Sequence, residues 1–237
     1  MSKNNIICII PARGGSKGIP KKNLQELEGK PLLYWSIKVA QLSGVVDRIL
    51  VSTDDQEIAS LAQSLGAEVP FLRPNHLALD HVHSVYVVIH LLNWIESQEN
   101  KTPEGLLMLL PTSPLRRPQD IQNAVKLFRE YKAKSVVSVT ELGKYLTNLR
   151  YLRSGQLEIV DSNENLNAQR QGLEEIYAVN GSIFLARPKD LQKEQTFHMK
   201  GTRGYVMPML NSIDINSPED LNLARQLAPI LDLQSLK

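Results

Sequence analysis

Four cationic side chains, Arg13, Lys17, Lys21 and Lys22, fall within ten residues of one another, in a stretch that also holds Gly14, Gly15 and Gly18. Cations set beside glycines, which turn with φ > 0 and let backbone N–H groups approach a ligand, are what a polyphosphate requires. The stretch Pro11-Ala-Arg-Gly-Gly-Ser-Lys-Gly-Ile-Pro-Lys-Lys-Asn23 follows directly on the apolar run Ile6–Ile10. A short buried strand opening into such a loop is how α/β proteins set phosphate against backbone. Prolines at both ends argue for a rigid loop rather than a flexible basic one. Neither G-x-G-x-x-G nor G-x-x-x-x-G-K-[ST] occurs, since Lys17 is followed by Gly18, so dinucleotide and P-loop readings are disfavoured.

Other residues are placed where chemistry happens. Pro111-Thr-Ser-Pro114 follows the apolar run Leu106–Leu110, and open α/β sheets bind ligands outside the carboxyl ends of their strands. Arg116 and Arg117 are as ready to be solvated, or to pair with acids, as to bind a ligand. Asp54-Asp55 admits a metal, but Asp54 with Glu57 reads as a capping box opening a helix. His81-x-His83, with His90 beyond, lacks a Cys or carboxylate at ligand spacing, which favours a surface or nucleotide-proximal histidine over a metal cluster.

The elements that must hold these groups alternate. Ile6–Ile10, Ile49–Ser52, Leu106–Leu110 and Val136–Val139 suit strands buried on both faces, and helical patterns separate them. The helices run from Pro31 to about Leu42, from Asp54, over Val82–Glu96, from Pro118 to about Tyr131, and from Ser217-Pro-Glu-Asp220. This pattern predicts an α/β protein of three layers around a mainly parallel sheet. Residues from about 140 to 180 are more polar, with short strand candidates at Leu149–Leu152 and Gln156–Val160, and read as an excursion from that sheet. Strand character returns at Ser182–Ala186 and Tyr205–Met207. The 237 residues, 42% apolar, suffice for one large domain. A net charge of +2 gives no bulk attraction to nucleic acid or membrane, and no apolar run approaches the ~20 residues of a membrane span. A lone Cys8 and the absence of a secretory pattern point to a cytoplasmic protein.

The opening loop resembles the signature of the CMP-nonulosonic acid synthetases, the acylneuraminate cytidylyltransferase family. Further matches run in the same order: Val51-Ser-Thr-Asp54, Arg73-Pro-Asn-His-Leu-Ala-Leu-Asp80, Pro111-Thr-Ser-Pro-Leu-Arg116, Arg170-Gln171, Asn180-Gly181 and Ser212-Ile-Asp-Ile215. The resemblance implies a Rossmann-like nucleotidyltransferase fold and a Mg²⁺-dependent reaction. In it the anomeric hydroxyl of a nonulosonic acid attacks the α-phosphorus of CTP and pyrophosphate leaves. It implies that Arg13, Lys17 and Lys22 neutralise charge, that Arg13, Asn23 and backbone around Ala12 meet the nucleotide, and that Arg73 lies at the base. Ser84 then lies near the ribose, against an alternative as a helix cap. Arg170 meets the sugar acid or the phosphate side, and its guanidinium suits the sugar's carboxylate by bidentate geometry. Phe184 and Phe197 shape the sugar pocket, against simple core packing for Phe184. The 140–180 excursion becomes a dimerisation arm, and the protein a homodimer.

The departures concern the sugar and the metal. Leu110 stands where the family commonly has a glutamine that touches the sugar, Ala178 replaces a second arginine, and His198 replaces an aromatic. These shift the expected acceptor from N-acetylneuraminate toward a legionaminic or pseudaminic acid type. The family pattern Ser-Ile-Asp-Ile-Asp holds Mg²⁺ through two carboxylates on one face of a strand. Here the pair is Asp214 and Asn216, which lowers the charge by one and leaves Asp214 the better ligand, unless it merely ends a strand. A 3-deoxy-octulosonate cytidylyltransferase, or a catalytically impaired nucleotide-binding relative, stands as the alternative.

Overall fold

The computed structural model describes residues 5–143, 149–160 and 175–237. The first strand, β1 (Ile6–Pro11), shows why an unbroken apolar run folds as it does. Ile6, Cys8 and Ile10 point into one cluster of buried side chains and Ile7 and Ile9 into another, so both faces of the strand are covered. A small hairpin, β2 (Glu26–Leu27) with β3 (Lys30–Pro31), leads into α1 (Leu32–Ser43), which ends on Gly44 at φ 65°. Next come β4 (Arg48–Ser52) and α2 (Gln56–Ser64), then α3 (Ser84–Glu99), β5 (Gly105–Met108) and α4 (Pro118–Glu130). Helix α4 buries Ile121, Ala124, Val125 and Phe128, an i, i+3, i+4, i+7 stripe. After it β6 (Ser135–Gly143) leads out to a detached hairpin, β7 (Arg150–Arg153) with β8 (Gln156–Ile159). The chain returns on β9 (Ile176–Ala186), followed by α5 (Pro188–Glu194), β10 (Arg203–Met207) and α6 (Pro218–Ile230).

Six strands form one sheet in the order β10-β6-β9-β5-β1-β4. The β4-β1-β5 and β6-β10 pairs are parallel, and only β9 runs antiparallel between β5 and β6. Helices α1, α2 and α4 pack on one face, α3 and α5 on the other, which gives the three layers expected. Because β4 and β5 lie on opposite sides of β1, the connections leaving β1 and β5 part at their carboxyl ends, where such sheets form a crevice. Among the described residues, no helix is long and apolar enough to cross a membrane.

Two expectations shift. The strand foreseen at Ser182–Ala186 begins at Ile176, and the Asn180-Gly181 pair lies where its register against β6 shifts. The helix cap foreseen at Asp54 belongs to Asp55, whose carboxylate accepts from the N–H groups of Glu57 and Ile58 at 2.8 and 3.1 Å. Such a cap is worth about 1 kcal/mol. Asp54 is thereby free for another task.

Candidate active site

That task is to hold the cation-rich loop. Asp54 Oδ1 accepts from the Gly14 N–H at 3.0 Å, and Asn23 Nδ2 donates across the loop to the Arg13 carbonyl at 2.8 Å. The glycines do not turn as expected: none of Gly14, Gly15 and Gly18 has positive φ. Two of them serve close approach instead. A Cβ on Gly14 would lie 2.8 Å from Asp55 Cβ, and one on Gly18 would lie 2.5 Å from the Asn216 carbonyl oxygen. A Cβ at Gly15 meets nothing. Gly18→Ala should therefore cost about 1–3 kcal/mol in thermal unfolding by overpacking against backbone, with a matching loss of turnover, while Gly15→Ala should not.

The loop forms one wall of a cleft of about 370 Å³ at the carboxyl ends of β1 and β5, within the range of small-molecule sites. Arg13, Lys22, Asn23, Arg73, Asp80, His83, Ser84, Leu110 and Thr112 all line it. Arg13 Nη2 lies 2.6 Å from Asp80 Oδ1, and Lys17 Nζ, at the exposed rim, 2.7 Å from Asp80 Oδ2. Arg73 is 5% exposed and donates to the hydroxyl and carbonyl of Ser52. Burial lowers its pKa to about 10, Asp54 opposing the shift and Arg13 adding to it. Ser84 opens α3, but His83 is the N-cap and no side chain caps there, so the helix-cap alternative for Ser84 is set aside. Ala12 is buried, and its N–H donates to the Ser52 carbonyl at 2.9 Å. That donor extends the β1–β4 pairing.

The segment 212–216 closes the far side of the loop, and it is not the strand expected of it. Ile215 makes a single strand-like bond, N–H to the Thr112 carbonyl at 2.8 Å, and side chains pin the rest. Asn180 Nδ2 donates to Ser212 Oγ, Asn211 Nδ2 to the Leu115 carbonyl, and Lys22 Nζ to the Ile215 carbonyl, at 2.8, 2.8 and 2.9 Å. Asp214 and Asn216 share a face nonetheless, since Asn216 Nδ2 donates to Asp214 Oδ2 at 2.8 Å. The other oxygen, Asp214 Oδ1, is buried with no partner among the described residues, as is the Ser113 hydroxyl. Lys22 lies within the field of Asp214: burial lowers its pKa, Asp214 and Asp220 oppose that, and Arg13 adds to it.

A second hollow of about 340 Å³ adjoins the first and shares His83, Ser84 and Leu110 with it. Its far wall is Phe184, Phe197 and His198, packed ring to ring with centroids 5.4 and 6.2 Å apart. Phe184 therefore faces the hollow while also packing against the core. Arg170 lies outside the described residues.

Residues 7–234 match the family described as Cytidylyltransferase. The chain belongs to the cytidylyltransferase family. It is 36% identical to the CMP-N,N'-diacetyllegionaminic acid synthase of Legionella pneumophila, over 94% of this chain and 95% of the relative. It is 31% identical to the pseudaminic acid cytidylyltransferase of Campylobacter jejuni, over 93% and 95%. A CMP:2-keto-3-deoxy-manno-octonic acid synthetase solved with CTP superposes with a TM-score of 0.71, covering 95% of this chain and 98% of that one, at 17% identity. At that identity the likeness concerns the fold.

Two residues of this cytidylyltransferase escaped the sequence reading. Arg116 is neither solvated nor paired with an acid: it is 1% exposed and donates to Ser36 Oγ and the Leu110 carbonyl, with its pKa lowered by burial to about 10. It ties the turn carrying Thr112 and Ser113 to α1. Asp80 stood in a matched motif without a role, and its chain position gives no sign that two loop cations reach it.

Proposed function

We propose that the protein transfers a cytidylyl group from CTP to the anomeric hydroxyl of a nonulosonic acid. The observation that carries this is the pair of adjoining clefts, one lined by cations and the other by aromatic rings, joined at Ser84 and Leu110. The triphosphate lies along Arg13, Lys17 and Lys22, and the acceptor ring against Phe184, Phe197 and His198. The anomeric oxygen forms a bond to the α-phosphorus, the bond from that phosphorus to the bridging oxygen of the leaving group breaks, pyrophosphate departs, and the hydroxyl proton passes to solvent. The chain supplies positioning and charge neutralisation rather than a nucleophile.

Asp214 fits a Mg²⁺ ligand, because its partnerless buried oxygen costs stability unless something polar meets it. Asn216 offers a carbonyl oxygen beside it. Among the described residues no group of three or more His, Cys, Asp or Glu gathers for a metal, so the remaining ligands come from phosphates and water, as Mg²⁺ prefers. Bound there, Mg²⁺ supplies charge neutralisation on the triphosphate.

The acceptor is read as a legionaminic or pseudaminic acid type. The apolar Leu110 side chain between the clefts cannot hydrogen-bond a hydroxyl, and two of the relatives that match over 95% of their own length are named for those sugars. A homodimer through the 140–180 arm accounts for the exposed apolar face of the β7–β8 hairpin, where Leu152 and Leu157 are each 72% exposed. A two-stranded sheet of this kind is marginal alone. The test is pyrophosphate release from CTP and Mg²⁺ with a panel of sugar acids. Release with a diacylated nonulosonic acid, at a kcat/KM well above that for N-acetylneuraminate, is expected. Release with 3-deoxy-octulosonate alone would sink the assignment, and none with any acceptor would leave a nucleotide-binding relative.

A further inference from the structure

One carboxylate pairs with two of the cations that a triphosphate needs. Asp80 pairs through Oδ1 with Arg13 at 2.6 Å and through Oδ2 with Lys17 at 2.7 Å, and Arg13 Nη1 also reaches the Ala78 carbonyl at 3.4 Å. Asp80 lines the nucleotide cleft together with Arg13. Its two oxygens thus bridge the cleft between the loop after β1 and the segment that leads into α3.

We propose that Asp80 is an internal stand-in for phosphate, which holds Arg13 and Lys17 in place when the cleft is empty and must be displaced when a polyphosphate enters. The inference rests on the reading of this cleft as a nucleotide site. A carboxylate carries two oxygens and one charge where a triphosphate presents many oxygens and several charges, so a polyphosphate wins the exchange. Three consequences follow from the chemistry. The cations stay ordered in the free protein, so less side-chain freedom is lost on binding. The exchange weakens net affinity, since each incoming contact replaces an existing one. When pyrophosphate forms, the same carboxylate competes for the cations and speeds its release. Lys17 is 84% exposed and Asp80 44% in their side chains, so the pairs are soft enough to exchange rather than lock.

Asp80→Asn tests this, because it keeps the side-chain shape and removes the competing charge. The probe is tripolyphosphate, measured by calorimetry without acceptor or Mg²⁺, with pyrophosphate inhibition of turnover as a second reading. Asp80→Asn should bind tripolyphosphate about tenfold more tightly, the scale set by two exposed pairs. Pyrophosphate should then inhibit at correspondingly lower concentration. Asp80→Glu should restore affinity close to the wild type. Glu104→Gln, which alters one ion pair of Arg129 at the other end of β5, should change neither. Unchanged or weaker tripolyphosphate binding by Asp80→Asn would overturn the proposal. The calorimetric result needs only the cations, so it stands or falls separately from the identity of the acceptor and from cytidylyl transfer itself.

Discussion

Lys22→Ala is expected to lower turnover by ~10²–10³-fold, the usual cost of losing one preorganised group that meets transition-state charge. Its effect on thermal unfolding should be small. The ammonium makes one bond to the Ile215 carbonyl, and burial already disfavours its charged form, so removing it relieves part of that cost. The position explains the size of the effect on rate. Lys22 lines the cleft with Arg13 and lies within the field of Asp214, where the proposed reaction would gather the charge of both substrates. A pH profile sharpens the test. Because the pKa of Lys22 is below the ordinary lysine value, the charged form is lost as pH rises through that lowered value, and kcat should fall on an alkaline limb below the usual lysine range. Lys22→Arg should remove that limb while keeping part of the rate. A variant that loses its melting transition, or keeps turnover within a few-fold, would remove Lys22 from the chemistry.

Asp214→Ala should separate activity from stability in opposite directions. Turnover at saturating Mg²⁺ should fall by ~10²-fold or more, since a metal on a transferring phosphoryl group is worth several kcal/mol. The melting temperature should hold or rise by a few degrees, because the partnerless buried oxygen goes with the side chain at a relief of about 1–3 kcal/mol. Near-wild-type turnover would overturn the metal assignment, and a large fall in melting temperature would make Asp214 structural. The companion change, Asn216→Asp, puts a second carboxylate where an amide now donates at 2.8 Å. Like charges at that distance should lower stability without Mg²⁺ and make added Mg²⁺ raise the melting temperature more than in the wild type. The Mg²⁺ concentration for half activity should fall. No change in either quantity would mean that this position is not a ligand.

Much of this was legible before any coordinates, and the pattern of what was not is physical. Strand β1 could be read because a run buried on both faces has no polar position to hide it. Helix α6 could be read because Ser217, Pro218 and Asp220 supply cap, first turn and reciprocal acceptor in sequence. The segment 212–216 imitates a strand because Ile213 and Ile215 alternate with polar residues, yet that alternation arises from docking on α6 and the Thr112 turn rather than from a ladder. Arg116 was illegible because arginine is almost never fully buried, and only the carbonyl and hydroxyl that the fold brings to it offset the cost. The loop glycines were recognised, but for turning and for approach to a ligand rather than for close approach to the protein's own groups. The difference depends on Asp55 and Asn216, which no local pattern brings near. The aromatic wall of the second hollow could be named residue by residue, whereas its junction with the cation-lined cleft at His83 and Leu110 depends on how α3 and β5 meet.

The contact of Gly18 with the Asn216 carbonyl, with the Lys22 bond to Ile215 spanning 193 residues beside it, also bears on how the site comes into being. Closing so long a loop is entropically costly and is repaid only when the rest of the sheet has formed. During synthesis the cation loop emerges well before the Asp214 segment, 193 residues separating Lys22 from Ile215, so the loop exists for a time without the segment that closes it. Activity should therefore mark the last stage of folding, and refolding followed by turnover should lag behind refolding followed by helical signal.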